Sequence, residues 1–195
     1  LEGAFTPDEL DIARRQNFSL SVVSDEQKDA LLRARPVRAQ QASPLKLWIF
    51  LDTGMHRLGI QPGDLASCYR DLSACPHVAD DIVIATHFAC ADTLDNDFTA
   101  EQIRRFNQAL TDDIPSTAPK SFANSAALLG WPETRASWNR PGIMLFGSSP
   151  FPSSHPEADQ LRPVMTFKSA VIALRDITPG ETVDYDATWT AERHS

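Results

Sequence analysis

The sequence predicts an α/β fold built on parallel strands, either a (β/α)8 barrel or a doubly wound sheet. Three observations predict it. Apolar, β-branched runs recur at steps of roughly 30 residues with helical stretches between them, the spacing of right-handed βα crossovers. The run Leu45–Leu51 is apolar throughout apart from Lys46, as expected of a strand buried on both faces. Polar and glycine residues follow the apolar runs, where parallel folds carry their ligand-binding groups.

Phe18–Val23 reads as the first strand and Asp25–Ala34 as a helix with Ser24 as N-cap. Leu45–Leu51 is the second strand and Gly63–Ala74 the next helix. Asp81–Phe88 (DIVIATHF) is the third strand. Thr99-Ala-Glu-Gln102 opens a helix, with Thr99 as N-cap and Gln102 three residues on. Its residues Ile103, Phe106 and Leu110 share one face. Ser121–Ala127 reads as a fourth short strand or strand end, and Gly142–Phe146 as a fifth. Ser148–Pro163, rich in Pro and Ser, reads as a linker. Extended, β-like patterning follows over Val164–Leu174, with a turn signal at Ile177–Gly180. The expected division is therefore residues 1–157 as the parallel α/β part and 158–195 as the start of a β-rich domain. A complete eight-stranded barrel takes about 250 residues. With some five strands before Ser148, either the barrel is incomplete or the fold is another parallel one.

The chain has 195 residues, 42% of them hydrophobic, and a net charge of −8. That suits one sizeable core, and the acidic balance argues against nucleic acid and anionic membrane surfaces as partners. No run approaches the ~18 apolar residues of a membrane span. No signal peptide is present, and the opening residue is Leu1 rather than Met, which points to a start further upstream. Cys68, Cys75 and Cys90 match no common zinc spacing and read as reduced thiols of a cytosolic protein. The five histidines form no HExxH pair, so no metal site is expected.

Several residues carry chemistry, each with a plainer alternative. Arg57, three residues after Gly54, reads as an arginine aimed at an anionic ligand oxygen or as a surface arginine near a strand end. Arg140 precedes Pro-Gly-Ile, and the N–H groups of Gly142 and Ile143 suit a phosphate, helped by the positive end of a following short helix. Asn124 and Ser125 suit the same phosphate, or cap the helix that follows. His87 closes a strand, as a catalyst or as a satisfied structural histidine. Tyr185 is one of two tyrosines, a functional phenol or a strand aromatic packed on the core.

Five segments occur together and in order: LDTGMHRLG (51–59), HFACAD (87–92), ANSAALLGWPE (123–133), NRPGIMLFG (139–147) and RPVMTFKS (162–169). Together they resemble signature segments of alanine racemase, a pyridoxal-phosphate (PLP) enzyme, and the resemblance runs from Leu1 to the end of the chain. It implies a partial PLP-binding (β/α)8 barrel followed by the start of a β-rich domain, a fragment lacking the N-terminal part of the barrel and most of the C-terminal domain. It implies a cytoplasmic homodimer that interconverts L- and D-alanine and supplies D-alanine for peptidoglycan. A non-catalytic remnant, a PLP-binding homologue and a racemase of another amino acid, such as serine or lysine, are the alternatives.

The resemblance also assigns roles. Arg140 would bond the pyridine nitrogen and, as a guanidinium that keeps its protons, leave it unprotonated. Ser125, Gly142 and Ile143, with Asn124, would hold the phosphate. Arg57 would face the phenolic oxygen and the substrate carboxylate. Tyr185, supplied by the partner subunit, would be one of two bases, and His87 would bond it and pass on to Arg140. A phenol near its ordinary pKa of ~10 needs such help to act as a base at neutral pH. The chain departs from the family pattern in three places. It contains no Lys-Ala-Asn-Ala-Tyr-Gly segment, its lysines being Lys28, Lys46, Lys120 and Lys168. Phe50 stands where a lysine commonly supports a site arginine, so that support is expected to be lost. Asp186 stands in place of the usual glycine after the tyrosine.

Overall fold

A computed structural model describes residues 3–34 and 43–194. Leu1, Glu2 and Ser195, the ends of the resemblance and of the two expected parts, lie outside the described residues. The chain forms two compact units, Leu1–Val164 and Met165–Ser195.

The first unit is a run of βα steps. Helix α1 (Pro7–Arg15) leads into β1 (Ser19–Val22), α2 (Asp25–Arg33) and β2 (Lys46–Leu51). Then come α3 (Leu65–Ser73), β3 (Val83–Thr86), α4 (Phe98–Ala109), β4 (Lys120–Ser121) and α5 (Ser125–Gly130). The four strands are parallel and lie side by side in chain order. That order suits the wall of a barrel, because each helix returns the chain to the neighbouring position.

Local chemistry accounts for most boundaries. Ser24 Oγ accepts from Gln27 N and caps α2, as the sequence predicts. Helix α1, which the strand pattern did not disclose, opens on a capping box: Thr6 Oγ1 accepts from Glu9 N, and the Glu9 carboxylate accepts from Thr6 N. Pro7 stands at the first position, where a missing N–H costs nothing. Helix α4 corrects an expectation. Its N-cap is Asp97, not Thr99, because Asn96 Oδ1 takes the Phe98 amide and starts the helix two residues early. Thr99 is drawn inside and buried.

One face of the sheet is buried along β1 to β3, and β3 is buried on both faces. Leu20, Val22, Leu47, Ile49, Leu51 and Ile84 lie under the helices, with Phe106 of α4 against Phe122 at 4.3 Å between ring centroids. Phe106→Ala would cost about 3–5 kcal/mol by the usual cavity penalty. The expectation that β2 is buried on both faces is corrected. Its residues alternate, with Trp48 and Phe50 half-buried on the other face. That face borders an open cleft of about 760 Å³ lined by Ser19, Ser21, Trp48, Phe50 and Trp138.

The fifth strand expected at Gly142–Phe146 is a third correction. Ile143–Phe146 is a 3-10 turn, and the position beside β4 is taken by Trp138 through a parallel bridge to Ser121. Pro141 offers no N–H, and Gly142 leaves the extended region at φ −114°, ψ −94°. The apolar side chains of Ile143, Leu145 and Phe146 are left exposed.

The second unit holds a short antiparallel pair, β5 (Thr182–Val183) with β6 (Trp189–Thr190), and the expected turn at Pro179–Gly180, where Gly180 has φ +92°. No strand forms over 164–174 among the described residues, which corrects the β-like reading. Phe167, Val171, Ile172 and Leu174 are exposed, since no strand lies beside them to complete a ladder.

Candidate active site

The C-terminal ends of β1 to β4 carry the polar groups. After β2 the chain forms a tight loop around Asp52. The buried Asp52 carboxylate accepts from Gly54 N and His56 N, each at 3.0 Å, and its second oxygen meets His56 Nδ1 at 3.0 Å. Burial alone would raise this carboxyl, but the His56 and Gly54 amides outweigh it and hold it below the ordinary carboxylate range. The loop returns onto the sheet through Gly59, whose N–H donates to Val23 O. A Cβ at Gly59 would stand 2.6 Å from Asp52 N, and its φ is +133°, so only glycine closes the loop. Arg57 projects from this loop and makes no hydrogen bond or ion pair among the described residues.

Arg140 crosses the neighbouring strand ends. Nη1 donates to Ser121 O and Ser121 Oγ, and Nη2 donates to Thr86 O at 2.6 Å and to His87 Nδ1 at 3.4 Å. Four of the five guanidinium N–H donors are thereby used, which leaves Nε–H. The residues paired across the sheet beneath it are Phe50, Ala85 and Ser121. Ala85 carries only a methyl, so the guanidinium lies across the row, with its carbon 5.2 Å from the Phe50 ring centre. Phe50 thus meets Arg140 through its ring face. Burial lowers the Arg140 pKa to about 10, which keeps it charged at neutral pH.

His87 follows β3. Burial first, then the Arg140 and Arg57 charges, hold its imidazole below the ordinary histidine value. Because Nδ1 accepts from Arg140, the neutral ring carries its proton on Nε2.

Arg57, His87 and Arg140 line one cavity of about 190 Å³, together with Phe50, Asp52 and Met55. Three of the residues singled out from the sequence therefore meet. Asn124, Ser125, Gly142 and Ile143 form a separate group beyond β4. Asn124 Oδ1 accepts from Ala127 N and caps α5. Ser125 Oγ accepts from Gly142 N at 2.8 Å and Met144 N at 3.4 Å, with Ile143 between them. Tyr185 lies in the second unit, in the turn Tyr185–Ala187, and is 90% exposed rather than packed as a strand aromatic. Asp186, in place of the expected glycine, has φ +59°, a region glycine adopts freely.

A family model described as "Alanine racemase, N-terminal domain" matches residues 1–150. The chain belongs to the alanine racemase family. Of the two parallel architectures open to the sequence, the racemase barrel is the one adopted. An alanine racemase of Halorhodospira halophila is 41% identical over 190 residues, which are 97% of this chain and 50% of that protein. The solved biosynthetic alanine racemase of Pseudomonas aeruginosa superposes with a TM-score of 0.83 at 38% identity, over 100% of this chain and 52% of that one. A histidine racemase of Leuconostoc mesenteroides subsp. sake superposes with a TM-score of 0.78 at 28% identity, over 98% of this chain and 51% of that one. The chain spans about half the length of the relatives it matches.

Sequence reasoning missed the groups that hold this site together. Gln102, expected to complete a helix cap, is fully buried. Its Nε2 donates to Thr53 Oγ1 and to His87 O, and its Oε1 accepts from Ala89 N. Thr53 Oγ1 lies 2.7 Å from Thr86 Oγ1, which donates to Leu51 O. Arg105 Nη1 adds a bond to Thr53 O. Asp52 was visible in the sequence as an Asx turn, in Asp-Thr-Gly directly after an apolar run. The cysteines take no part: burial pushes the Cys68 thiol up to about 12, and burial raises Cys75 as well.

Proposed function

We propose that the protein containing this chain is a PLP-dependent alanine racemase, an isomerase that interconverts L- and D-alanine and supplies D-alanine for peptidoglycan. In this reading residues 1–157 belong to the cofactor barrel and 158–195 begin the β-rich domain. The protein acts in the cytoplasm as a homodimer, and among the described residues no helix is long and apolar enough to cross a membrane. The observation that carries the reading is Arg140. Its guanidinium is fixed by four hydrogen bonds, keeps Nε–H in reserve, and shares a cavity with Arg57 and His87 at the strand ends.

The residues present suit the cofactor's ring nitrogen and phosphate. An always-charged donor at Arg140 would meet the nitrogen without protonating it. Ser125, which already gathers the Gly142 and Met144 amides, would hold the phosphate with Asn124, Gly142 and Ile143. When bound, pyridoxal phosphate acidifies the substrate Cα–H. Arg57 would orient the substrate carboxylate and the phenolic oxygen. Tyr185 of one subunit would exchange the proton on one face of Cα in the partner's site. His87, with its proton on Nε2 and Arg140 behind it, would donate to that phenol oxygen and ease it toward phenolate.

The test uses the full-length protein with PLP. Alanine should be racemised, and Tyr185→Phe should reduce α-hydrogen exchange from one enantiomer by about 10²–10⁴-fold, the worth of one general acid–base group. The cofactor's visible spectrum should persist. Exchange from both enantiomers at the parent rate would remove Tyr185 from the mechanism. The likeness to a histidine racemase supports a second reading, racemisation of another amino acid. Turnover of histidine, serine or lysine without turnover of alanine would decide for it.

A further inference from the structure

We propose that Gln102 is a positioning residue of this site, locking the loop that carries Arg57 to the strand end that carries His87 and accepts from Arg140. The inference rests on reading the Arg57–His87–Arg140 cavity as the functional site, and not on which ligand fills it. Gln102 does not line the cavity and acts only through its neighbours.

Strand β3 ends at Thr86, so the backbone beyond it leaves the ladder. Gln102 supplies what the ladder no longer does. Reaching in from α4, its side chain accepts from Ala89 N at 2.9 Å and donates to His87 O at 3.0 Å. Its remaining N–H donates to Thr53 Oγ1, one residue before the turn that leads to Arg57. Both donors and the acceptor are used, so the amide has a single orientation. Thr53 Oγ1 meets Thr86 Oγ1, and Thr86 O accepts from Arg140. One buried side chain therefore joins all three cavity residues through at most two further groups. A packing role alone would be served by Leu or Met, which carry no polar group needing partners. The amide at a fully buried position is accounted for by the link it makes.

The experiment follows the His87 ring titration and backbone amide exchange by NMR on the chain itself. Gln102→Met keeps the volume and removes all three bonds. Exchange at the Ala89 and Gly54 amides should rise about tenfold, the effect of losing a neutral hydrogen bond. The His87 titration should move up toward its ordinary value as water reaches the ring. Phe106→Leu loosens α4 one turn away without touching the network, and should leave the His87 titration where it is. Thr53→Val removes one hydroxyl and leaves α4 intact. It should speed Gly54 exchange and spare Ala89. A folded Gln102→Met chain with unchanged titration and exchange overturns the proposal. So does a Phe106→Leu chain that shifts His87 equally. If Gln102→Met fails to fold, Thr53→Val decides, and unchanged Gly54 exchange overturns the link. Binding of inorganic phosphate and of PLP to the unmodified chain is measured in parallel. Alanine racemisation by the full-length protein is measured as well, and its absence counts against the proposed function, while the role of Gln102 stands or falls on the NMR readings alone.

Discussion

Replacing Asp52 by alanine should release the Arg57 loop, and the size of the effect follows from the bonds Asp52 makes. Two backbone amides and one imidazole nitrogen lose their acceptor. Bonds to a charged acceptor are worth about 1.5–3 kcal/mol each, less whatever water returns to the freed groups. His56 is largely exposed, so its ring contact adds little. The loop keeps its backbone bonds from Asp52 N to Ile60 O and from Gly59 N to Val23 O. The net local loss is therefore about 2 kcal/mol, or roughly thirtyfold faster exchange at the Gly54 and His56 amides. Asp52→Asn keeps one oxygen as an acceptor but not the charge, and should give about fivefold. Amide exchange by NMR near neutral pH measures both. In the parent chain the carboxyl is depressed below 3.8, so its contribution is complete above that value and is lost as the pH falls through the folded value. An acceleration below about threefold in Asp52→Ala, or equal effects of Ala and Asn, would refute the charge-held loop.

Four further outcomes are expected. His87 is depressed from 6.5, so the unfolded chain takes up a proton that the folded one refuses, and stability falls as the pH drops below about 6.5. His87→Gln should flatten the difference between urea midpoints at about pH 7.5 and 5.5, and an unchanged difference would assign the slope elsewhere. Phe50→Leu should lower stability by about 1 kcal/mol through loss of the ring face under Arg140, read as a lower melting temperature. Finally, the 195-residue chain mixed with PLP should not produce D-alanine. In the described part of the first unit Lys46 and Lys120 stand on the strands away from the cavity and Lys28 on α2, so no amine is placed to bind the cofactor covalently. The same chain should associate on size-exclusion chromatography through the open edge of β1, and a monodisperse monomer would contradict that.

The βα alternation was legible because each strand is a short apolar run and each helix has a cap or an amphipathic face. Ser24 and the DIVIATHF run are direct examples. The Gly142–Phe146 segment was misread because an apolar run of five looks the same whether it lies in a sheet or is exposed on a turn. Only the backbone of Gly142 and the competing bridge at Trp138 separate the two. Arg57, His87 and Arg140 were legible through the resemblance, not through spacing, since they lie on three different strand ends. Gln102 was hidden by position: three residues after a threonine at a helix start, it matches a capping pattern, and nothing local indicates that it faces inward. Phe50 was read by what it lacks, and Ala85 was needed to see what its ring supplies.

The row of hydroxyls behind the cavity has an arrow. Each hydroxyl owns one proton. Thr86 gives its proton to the Leu51 carbonyl, so Thr53 must hand its own to Thr86 and can only receive from Gln102. The protons all point the same way, from helix to strand, and bonds aligned head to tail polarise one another. Serine at position 53 or 86 would preserve that sense, and valine at either would cut it. Glutamate at 102 has the right shape but supplies no proton at the source, so the row would have to reverse or break. The wall is thus specified by the sense of its protons as well as by the volume of its side chains, a requirement that hydrophobicity patterns do not record.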